Sequence, residues 1–305
     1  MRTEEASSAS RVRKRQWKAA WLTGGLLFLL ASGIVGLLGG KSMAPSSAHI
    51  ARIDIDGPIM EAEPTVRLLD RAREEADAKA VLLRINSPGG GVGASEAIYQ
   101  AVDRLAEEKP VAVSMGSTAA SGGYMAALGG DRIFALNASM TGSIGVILMT
   151  GQIHELMKQI GVDFRIIKSG AYKDAGTPFK EMGEKDRQYL QSMVDQLHGQ
   201  FTDIVAAERD MDPEAVQEVA DGRAFTGERA RELGLVDAIG DREAALDWLR
   251  QQEGLTSDTP VEHLRPERQW LEGVFPQGMV RLWSWLADPH PRFLYRMTPA
   301  IHSNG

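Results

Sequence analysis

The sequence predicts an α/β fold built around a mostly parallel sheet, and two observations lead to that prediction. Between residues 50 and 251, short apolar runs typical of buried strands alternate with amphipathic stretches typical of helices, and this alternation indicates βαβ units. Three passages from strand to helix also carry glycine-rich turns, SPGGG, ASGG and TGSIG. Because ligands of such sheets bind at the carboxyl ends of the strands, we expect the three turns to line one cleft.

The predicted strands are apolar or alternating runs that end at Gly, Pro or Ser, and the predicted helices have apolar residues three and four positions apart. The first strand alternates apolar and polar residues up to a Gly-Pro break, which is typical of a half-buried strand. In chain order, strands are predicted over 50–59, 80–91 with its turn, 111–115, 131–136, 143–150 and 163–170, and helices over 68–79, 94–108, 121–129, 152–160, 184–209, 213–220, 227–233 and 242–251.

The N-terminal part of the chain predicts a membrane anchor. Residues 1–18 carry six basic and two acidic side chains, although the whole chain has a net charge of −7. Residues 19–40 contain no charged residue. As a helix, a run of this length is long enough to cross a bilayer core of about 30 Å. A cleavable signal peptide is the alternative, with SMA at 42–44 as a weak cleavage site. Basic residues favour the cytoplasmic side, so we expect the chain after Lys41 on the other side of the membrane.

The domain organisation follows from these shifts in composition. A cytoplasmic basic tail over 1–18 precedes a transmembrane signal anchor over 19–40 and a Pro/Ser linker over 41–49. The α/β body is predicted over 50–252, and an aromatic-rich segment follows over 253–305. That last segment could lie at a membrane interface, on a neighbouring subunit or on the body itself.

Composition excludes several kinds of site. The chain has no cysteine, which removes disulfides, thiolate nucleophiles and zinc sites with cysteine ligands. Its six histidines are scattered, without HExxH or paired helical spacing, so a metal site is not expected. The glycines at 89–91 lack the Gly-Lys-Ser/Thr of a phosphate loop and the spacing of a dinucleotide fingerprint. We therefore expect no cofactor, no metal and no nucleic-acid partner.

Ser121 is the candidate nucleophile. It stands between the strand-like VAVSMG and an apolar helix, where Gly122 and Gly123 leave room for a carbonyl substrate. The Gly122 N–H and a second N–H from Gly90 or a neighbour in the SPGGG turn could converge as an oxyanion hole. The alternative is structural, because a serine at this place also serves as a helix N-cap, with small residues beside it for close packing.

A serine hydroxyl needs a base to become a good nucleophile. No histidine falls in a turn on the expected cleft side, since His154 and His198 lie in predicted helices. Lysine can act instead where apolar surroundings lower its pKa, and the loop IIKSGAYKDAGTPF offers Lys168 and Lys173. A pairing of Asp174 with Lys173 would oppose deprotonation of the lysine, so we expect Asp174 to point away. From the residues alone, either lysine could equally be an ordinary surface residue.

The blocks SMGSTAASGGYMAA, MTGSIGVI and IKSGAYKDAGTPF resemble the bacterial signal peptide peptidase A family. The resemblance runs over residues 50–249 and includes INSPGGG before these blocks and ADGRAFTGERARELGLVDAIG after them. It implies a Clp protease/crotonase-like fold of repeated ββα units, preceded by one N-terminal transmembrane helix. It also makes residues 50–252 a Ser-Lys peptidase domain.

By the same resemblance, each site residue has a role. Ser121 matches the nucleophile of the family, and the second of the two lysines, Lys173, matches its general base. Ser143 of TGSIG is then expected to hydrogen-bond the lysine and hold it in place, and Gly90 and Gly122 to supply the oxyanion amides. This chain has Met where many relatives have a second aromatic after the Tyr of SGGY, and its aromatic C-terminal segment lies beyond the matched part.

The resemblance implies a membrane-anchored serine endopeptidase that degrades released signal peptides and other hydrophobic peptides. It places the protein in a bacterial inner (cytoplasmic) membrane, single-pass, with a cytoplasmic N-terminus and an extracytoplasmic catalytic domain. It further implies a ring-shaped homo-oligomer whose sites are shared between subunits. Two alternatives stay open, a non-catalytic membrane scaffold that binds hydrophobic segments and a crotonase-type acyl-CoA enzyme.

Overall fold

The computed structural model describes residues 48–266. The predicted basic tail, the predicted transmembrane segment over 19–40, most of the linker and the aromatic segment from 267 onward lie outside the described residues. Between residues 48 and 266, none of the helices combines the length and the apolar character that a membrane span requires.

The described residues form a mixed α/β structure, as predicted. The strands are His49–Asp56 (β1), Ala78–Ser87 (β2), Val111–Ala120 (β3), Arg132–Ala135 (β4), Met140–Gly142 (β5), Ala224–Thr226 (β6), Ala238–Ile239 (β7) and Val261–His263 (β8). The helices are Glu63–Glu74 (α1), Val92–Ala106 (α2), Gly122–Leu128 (α3), His154–Gln159 (α4), Glu184–Arg209 (α5), Pro213–Val219 (α6), Gly227–Glu232 (α7) and Arg242–Gln252 (α8).

The eight strands make one sheet, whose main path runs β6-β5-β3-β2-β1-β8. All its pairs are parallel except β5 with β6. The central strand β3 pairs first with β4 and then, further along, with β5, while β7 pairs with β4. The long strand β3 therefore pairs with two strands in succession, β4 and then β5, along the same edge.

A bulge in β3 makes this change of partner possible. Ile85 of β2 pairs with Met115, and Ser87 pairs with Ala119, so residues 116–118 of β3 face Asn86 alone. The Asn86 side chain fills the gap by accepting a hydrogen bond from the Thr118 N–H at 3.2 Å. Because a bulge bends the strand that carries it, the end of β3 is redirected toward the SPGGG turn that follows β2.

Alternate residues of the strands supply two apolar layers, as the period of a strand requires. Ile53, Leu83 and Val113 face a large core that also takes in α1, α2, α3 and the C-terminal half of α5. Leu82 and Phe134 face a smaller core closed by α8. The sheet is thus covered by helices on both faces, which is the usual state of parallel sheets.

The predictions were wrong for residues 143–150 and 163–170, which form no strand. Both runs belong to an arm, residues 143–183, that leaves the sheet after β5 and returns at the start of α5. Between residues 147 and 173 none is buried, although the run is rich in apolar side chains. Helix α5, in contrast, has the predicted bounds. Strand β8, which pairs with β1, was not predicted.

Candidate active site

Ser121 connects the end of β3 to the start of α3, and its backbone has an unusual conformation. Its φ is 53° and its ψ −122°, a region that L-residues other than glycine rarely occupy. The backbone is fixed from both sides, since the Ser121 N–H donates to Gly142 O at 2.8 Å and the Met125 N–H donates to Ser121 O at 2.9 Å. Strained backbone of this kind is concentrated at active sites.

The side chain of Ser121 does not act as a helix cap. No backbone N–H of α3 donates to its hydroxyl, and the side chain makes no hydrogen bond to any other residue between 48 and 266. The structural alternative for this serine predicts a capping bond from the first turn of the helix. The hydroxyl is instead a partly exposed group that remains available for chemistry.

The SPGGG turn lies directly against the first residue of α3. A Cβ built on Gly122 would stand 3.2 Å from the Gly90 nitrogen, and a Cβ built on Gly89 would stand 2.6 Å from the Gly122 nitrogen. Neither the Gly90 N–H nor the Gly122 N–H has a protein acceptor between residues 48 and 266. Two free amide donors therefore lie side by side next to Ser121, which is the arrangement that an oxyanion hole requires.

The other amides of the turn are all occupied, and this is what singles out Gly90. The Gly89 N–H donates to the Ser87 hydroxyl at 3.1 Å. The Gly91 N–H donates to Ile59 O, and the Ile59 N–H donates to Gly89 O, both at 2.9 Å. Ile59 thus holds the turn on both sides of Gly90. Sequence reasoning missed this role, and the only hint was the Gly-Pro-Ile that ends the first strand pattern.

Close packing requires glycine at both positions, 90 and 122. A Cβ on Gly90 would stand 2.0 Å from Ile59 O, and a Cβ on Gly122 would stand 2.1 Å from the Ser95 hydroxyl. Ser95 is fully buried, and its hydroxyl donates to Gly91 O at 3.0 Å. Only glycine fits at either position without moving its neighbours.

Strand β5 brings Ser143 close to Ser121. Ser143 follows Gly142, whose carbonyl accepts the Ser121 N–H, and it has a φ of 51°. Its own N–H donates to Arg223 O at 2.9 Å. Among residues 48–266, Ser121, Ser143 and Asp210 are the residues other than glycine with positive φ. Two of these three are serines that the sequence singled out for the site.

Lys173 is placed differently from the other candidates. It is exposed and lies in a series of turns near the end of the arm, where its N–H donates to Gly170 O at 3.2 Å. Within the described chain no hydrogen bond joins it to Ser121 or Ser143. The structure therefore brings together Ser121, Ser143, Gly90 and Gly122, and within residues 48–266 it shows no hydrogen bond from Lys173 to any of them.

The second lysine candidate, Lys168, is already engaged. Its ammonium donates to Ala171 O at 2.8 Å and forms a short ion pair with Asp174. Asp174 also pairs with Lys180 at 3.0 Å, and its side chain is only 8% exposed. The expectation for Asp174 is confirmed, because both of its oxygens bind lysines other than its neighbour Lys173.

Comparison with known proteins gives consistent matches. Residues 103–256 match peptidase family S49. A Synechocystis protein named as a candidate protease is 42% identical over 212 residues, which are 68% of this chain and 76% of that protein. A candidate signal peptide peptidase SppA of Enterococcus faecium is 40% identical over 64% of this chain and 57% of its own. The chloroplastic serine protease SPPA of Arabidopsis thaliana is 32% identical over 80% of this chain and 36% of its own.

Proposed function

Because the chain belongs to peptidase family S49, the signal peptide peptidase A family, we propose that this serine protease is a membrane-anchored endopeptidase that works through a dyad of Ser121 and Lys173. The observation that carries the proposal is the pair of free amides, Gly90 and Gly122, beside a serine whose hydroxyl does not cap its helix. The change of partner along β3 supports the Clp protease/crotonase-like ββα arrangement.

The proposed reaction uses Lys173 as base, then as acid, then as base again. Lys173, in its neutral form, takes the proton of the Ser121 hydroxyl as the oxygen attacks the peptide carbonyl carbon. The carbonyl oxygen becomes an anion that accepts hydrogen bonds from the Gly90 and Gly122 N–H groups. The lysine then gives its proton to the leaving amine, and the same base activates a water that hydrolyses the acyl-enzyme. Ser143 hydrogen-bonds the lysine and holds it in place.

We place the lysine in the site from a neighbouring copy of the chain. In one copy Lys173 lies on an exposed arm, while Ser121 is embedded in the body. The arm also exposes large apolar side chains, which is typical of a surface that another subunit covers. A head-to-tail contact in which each arm reaches the next body closes into a ring when the rotation fits. The most exposed of these side chains are Ile147 (82%), Met149 (87%), Ile160 (65%) and Ile167 (99%).

The substrates that fit this proposal are released signal peptides and other hydrophobic peptides near a membrane. The uncharged run over 19–40 and the basic run before it support a single-pass anchor in a bacterial inner membrane, with the catalytic domain on the extracytoplasmic side. An anchored protease meets such peptides where they are released.

Paired inactive variants test both the dyad and its origin. Ser121→Ala and Lys173→Ala, purified separately, should each lose turnover of a signal-peptide substrate, since one removes the nucleophile and the other the base. When both variants are co-expressed with different tags and co-purified, a site shared between subunits regains activity, to about one quarter of wild type for random head-to-tail mixing.

Three outcomes decide the proposal. Activity of either single variant near the wild-type level would refute the dyad. Inactive single variants with no recovery on co-expression would keep the dyad but place both residues in one subunit. A serine-directed fluorophosphonate that fails to label wild type at Ser121 would refute Ser121 as the nucleophile, and an unchanged melting temperature of each variant separates a lost catalytic group from a lost fold.

A further inference from the structure

Four charged side chains form a chain of ion pairs around the turn that carries Lys173. Lys168 pairs with one oxygen of Asp174, and Lys180 pairs with the other at 3.0 Å. Lys180 also pairs with Asp186 of α5 at 2.6 Å. The two carboxylates are nearly buried, with 8% and 12% of their side chains exposed, and about a third of each lysine side chain is exposed.

This ionic chain joins the end of the arm to the first turn of α5. Asp174 is the first buried residue after a run, 147–173, in which none is buried. Lys168 also donates to Ala171 O, so its ammonium links the residues on both sides of Lys173. Single exposed ion pairs contribute little to stability, but a network with nearly buried carboxylates is more persistent. The network therefore holds the backbone on both sides of Lys173 in place.

We propose that Lys168 and Lys180 are positioning residues for the base: they occupy the two oxygens of Asp174, and the occupied carboxylate cannot form an ion pair with Lys173. This inference rests on the proposed function, because it concerns the lysine assigned there as the general base. Neither Lys168 nor Lys180 touches the substrate or Ser121 in this account, and both act only through Asp174 on Lys173.

A carboxylate stabilises the protonated form of an adjacent amine. An opposite charge within about 4–6 Å favours the protonated form of a lysine, which cannot accept a proton from serine. The hydrogen bond from Lys168, together with that from Lys180, holds the pKa of the Asp174 carboxyl below its ordinary value, so the carboxylate is charged at any working pH. If either lysine partner were lost, one oxygen of Asp174 would be free to pair with Lys173, its neighbour in the chain.

Among residues 48–266, the charged groups of this network face one another and an aromatic pair lies beside them. Lys168 and Lys180 face Asp174, and Asp186 faces Lys180 from α5. The rings of Tyr172 on the arm and Tyr189 on α5 lie 4.8 Å apart beside the same turn. No histidine takes part, so the network itself has no group whose ordinary pKa lies near neutrality.

The experiment measures the pH profile of kcat/KM for substitutions that free one oxygen of Asp174. In Lys168→Met or Lys180→Met, the freed carboxylate pairs with Lys173, and the acidic limb of the profile moves to higher pH by about one unit. Activity on that limb then falls about tenfold, whereas the plateau at high pH changes less. In the double variant Lys168→Met/Asp174→Asn no free carboxylate remains, so the limb returns toward the wild-type position.

The matched control is Lys185→Met, which makes the same change of side chain on α5. Lys185 is exposed and forms no ion pair within residues 48–266, and its profile should follow wild type. If the single variants lose activity equally at every pH, or if the double variant keeps the shifted limb, the network is only structural and the inference is wrong. Lys180→Met supplies an independent measurement should Lys168→Met fail to fold.

Failure of this inference can be told from failure of the proposed function. Lys173→Met with wild-type activity would remove Lys173 as the base, and the limb would then report another group. Lys173→Met without activity, combined with unshifted limbs in Lys168→Met and Lys180→Met, would leave the dyad intact and refute only the role of Lys168 and Lys180.

Discussion

The proposed nucleophile and the proposed base of this protease lie in two regions with opposite packing. Every residue of α3, which begins one position after Ser121, is buried, whereas no residue between 147 and 173 is buried. Ser121 and the two amides proposed as oxyanion donors are positioned by the core of a single chain. The proposed base is positioned by turns and ion pairs on an arm, and by whatever that arm contacts. The position of Ser121 and the two amides is therefore determined by the fold of the body, whereas the position of Lys173 depends on the arm.

The largest expected contrast between these regions is in stability. Leu83→Ala empties a fully buried position in β2 and should lower the free energy of unfolding by about 2–5 kcal/mol. Ile167→Ala removes a side chain that is 99% exposed and should change the free energy of unfolding by less than about 0.5 kcal/mol. Urea unfolding of dilute protein measures both. A loss of more than about 2 kcal/mol for Ile167→Ala would mean that the arm packs on its own body.

The next contrast compares two added methyl groups. Gly122→Ala forces a Cβ to 2.1 Å from the Ser95 hydroxyl, so it should cost about 1–3 kcal/mol of stability and abolish peptidase turnover by displacing the oxyanion amides. Gly151→Ala, on the arm, has no atom within 4 Å of the new Cβ and should leave stability within about 1 kcal/mol. Calorimetry and a peptide assay check the pair. Full activity of Gly122→Ala would argue against Gly122 as an oxyanion donor.

The smallest expected effect concerns local opening of the arm. Amides of residues 147–173 should exchange with solvent far faster than those of β2, since exposed segments open without unfolding the core. If neighbouring copies cover the arm, raising the protein concentration should slow its exchange by about tenfold, or about 1.4 kcal/mol, and leave β2 unchanged. Mass spectrometry of exchange at two concentrations measures this. Exchange of the arm that does not depend on concentration would speak against the shared site.

Much of the body could be predicted from the sequence because its elements bury their apolar faces in the same chain. The alternating pattern of β1 and the long amphipathic pattern of α5 both have a core to face, and both were predicted. The run over 143–150 is as apolar as a true strand, and the run over 163–170 carries Phe164, Ile166 and Ile167, yet neither forms a strand. An apolar sequence pattern indicates that the side chains will be buried. It does not indicate whether they are buried by the same chain or by another one.

The candidate site divides in the same way. Ser121 and Gly122 lie at a boundary between strand and helix that the pattern locates, and the glycines of SPGGG indicate a close approach that the structure shows at Gly90. Ile59 and Ser95, which hold that turn, carry no local signal of their own. The choice of Lys173 over Lys168 came from resemblance, and the ion pairs that occupy Lys168 supply a physical reason for it.

The positive φ angles of Ser121 and Ser143 also bear on how such a sequence can change over evolution. A residue other than glycine in this region costs on the order of 1–3 kcal/mol, and glycine would relieve that cost at both positions. Selection for stability alone would therefore favour glycine at each, but a glycine lacks the hydroxyl that the proposed mechanism uses to attack a carbonyl at 121 and to hold the base at 143. Under that mechanism, catalysis and stability make opposite demands on the residue at both positions, a trade-off common in enzymes.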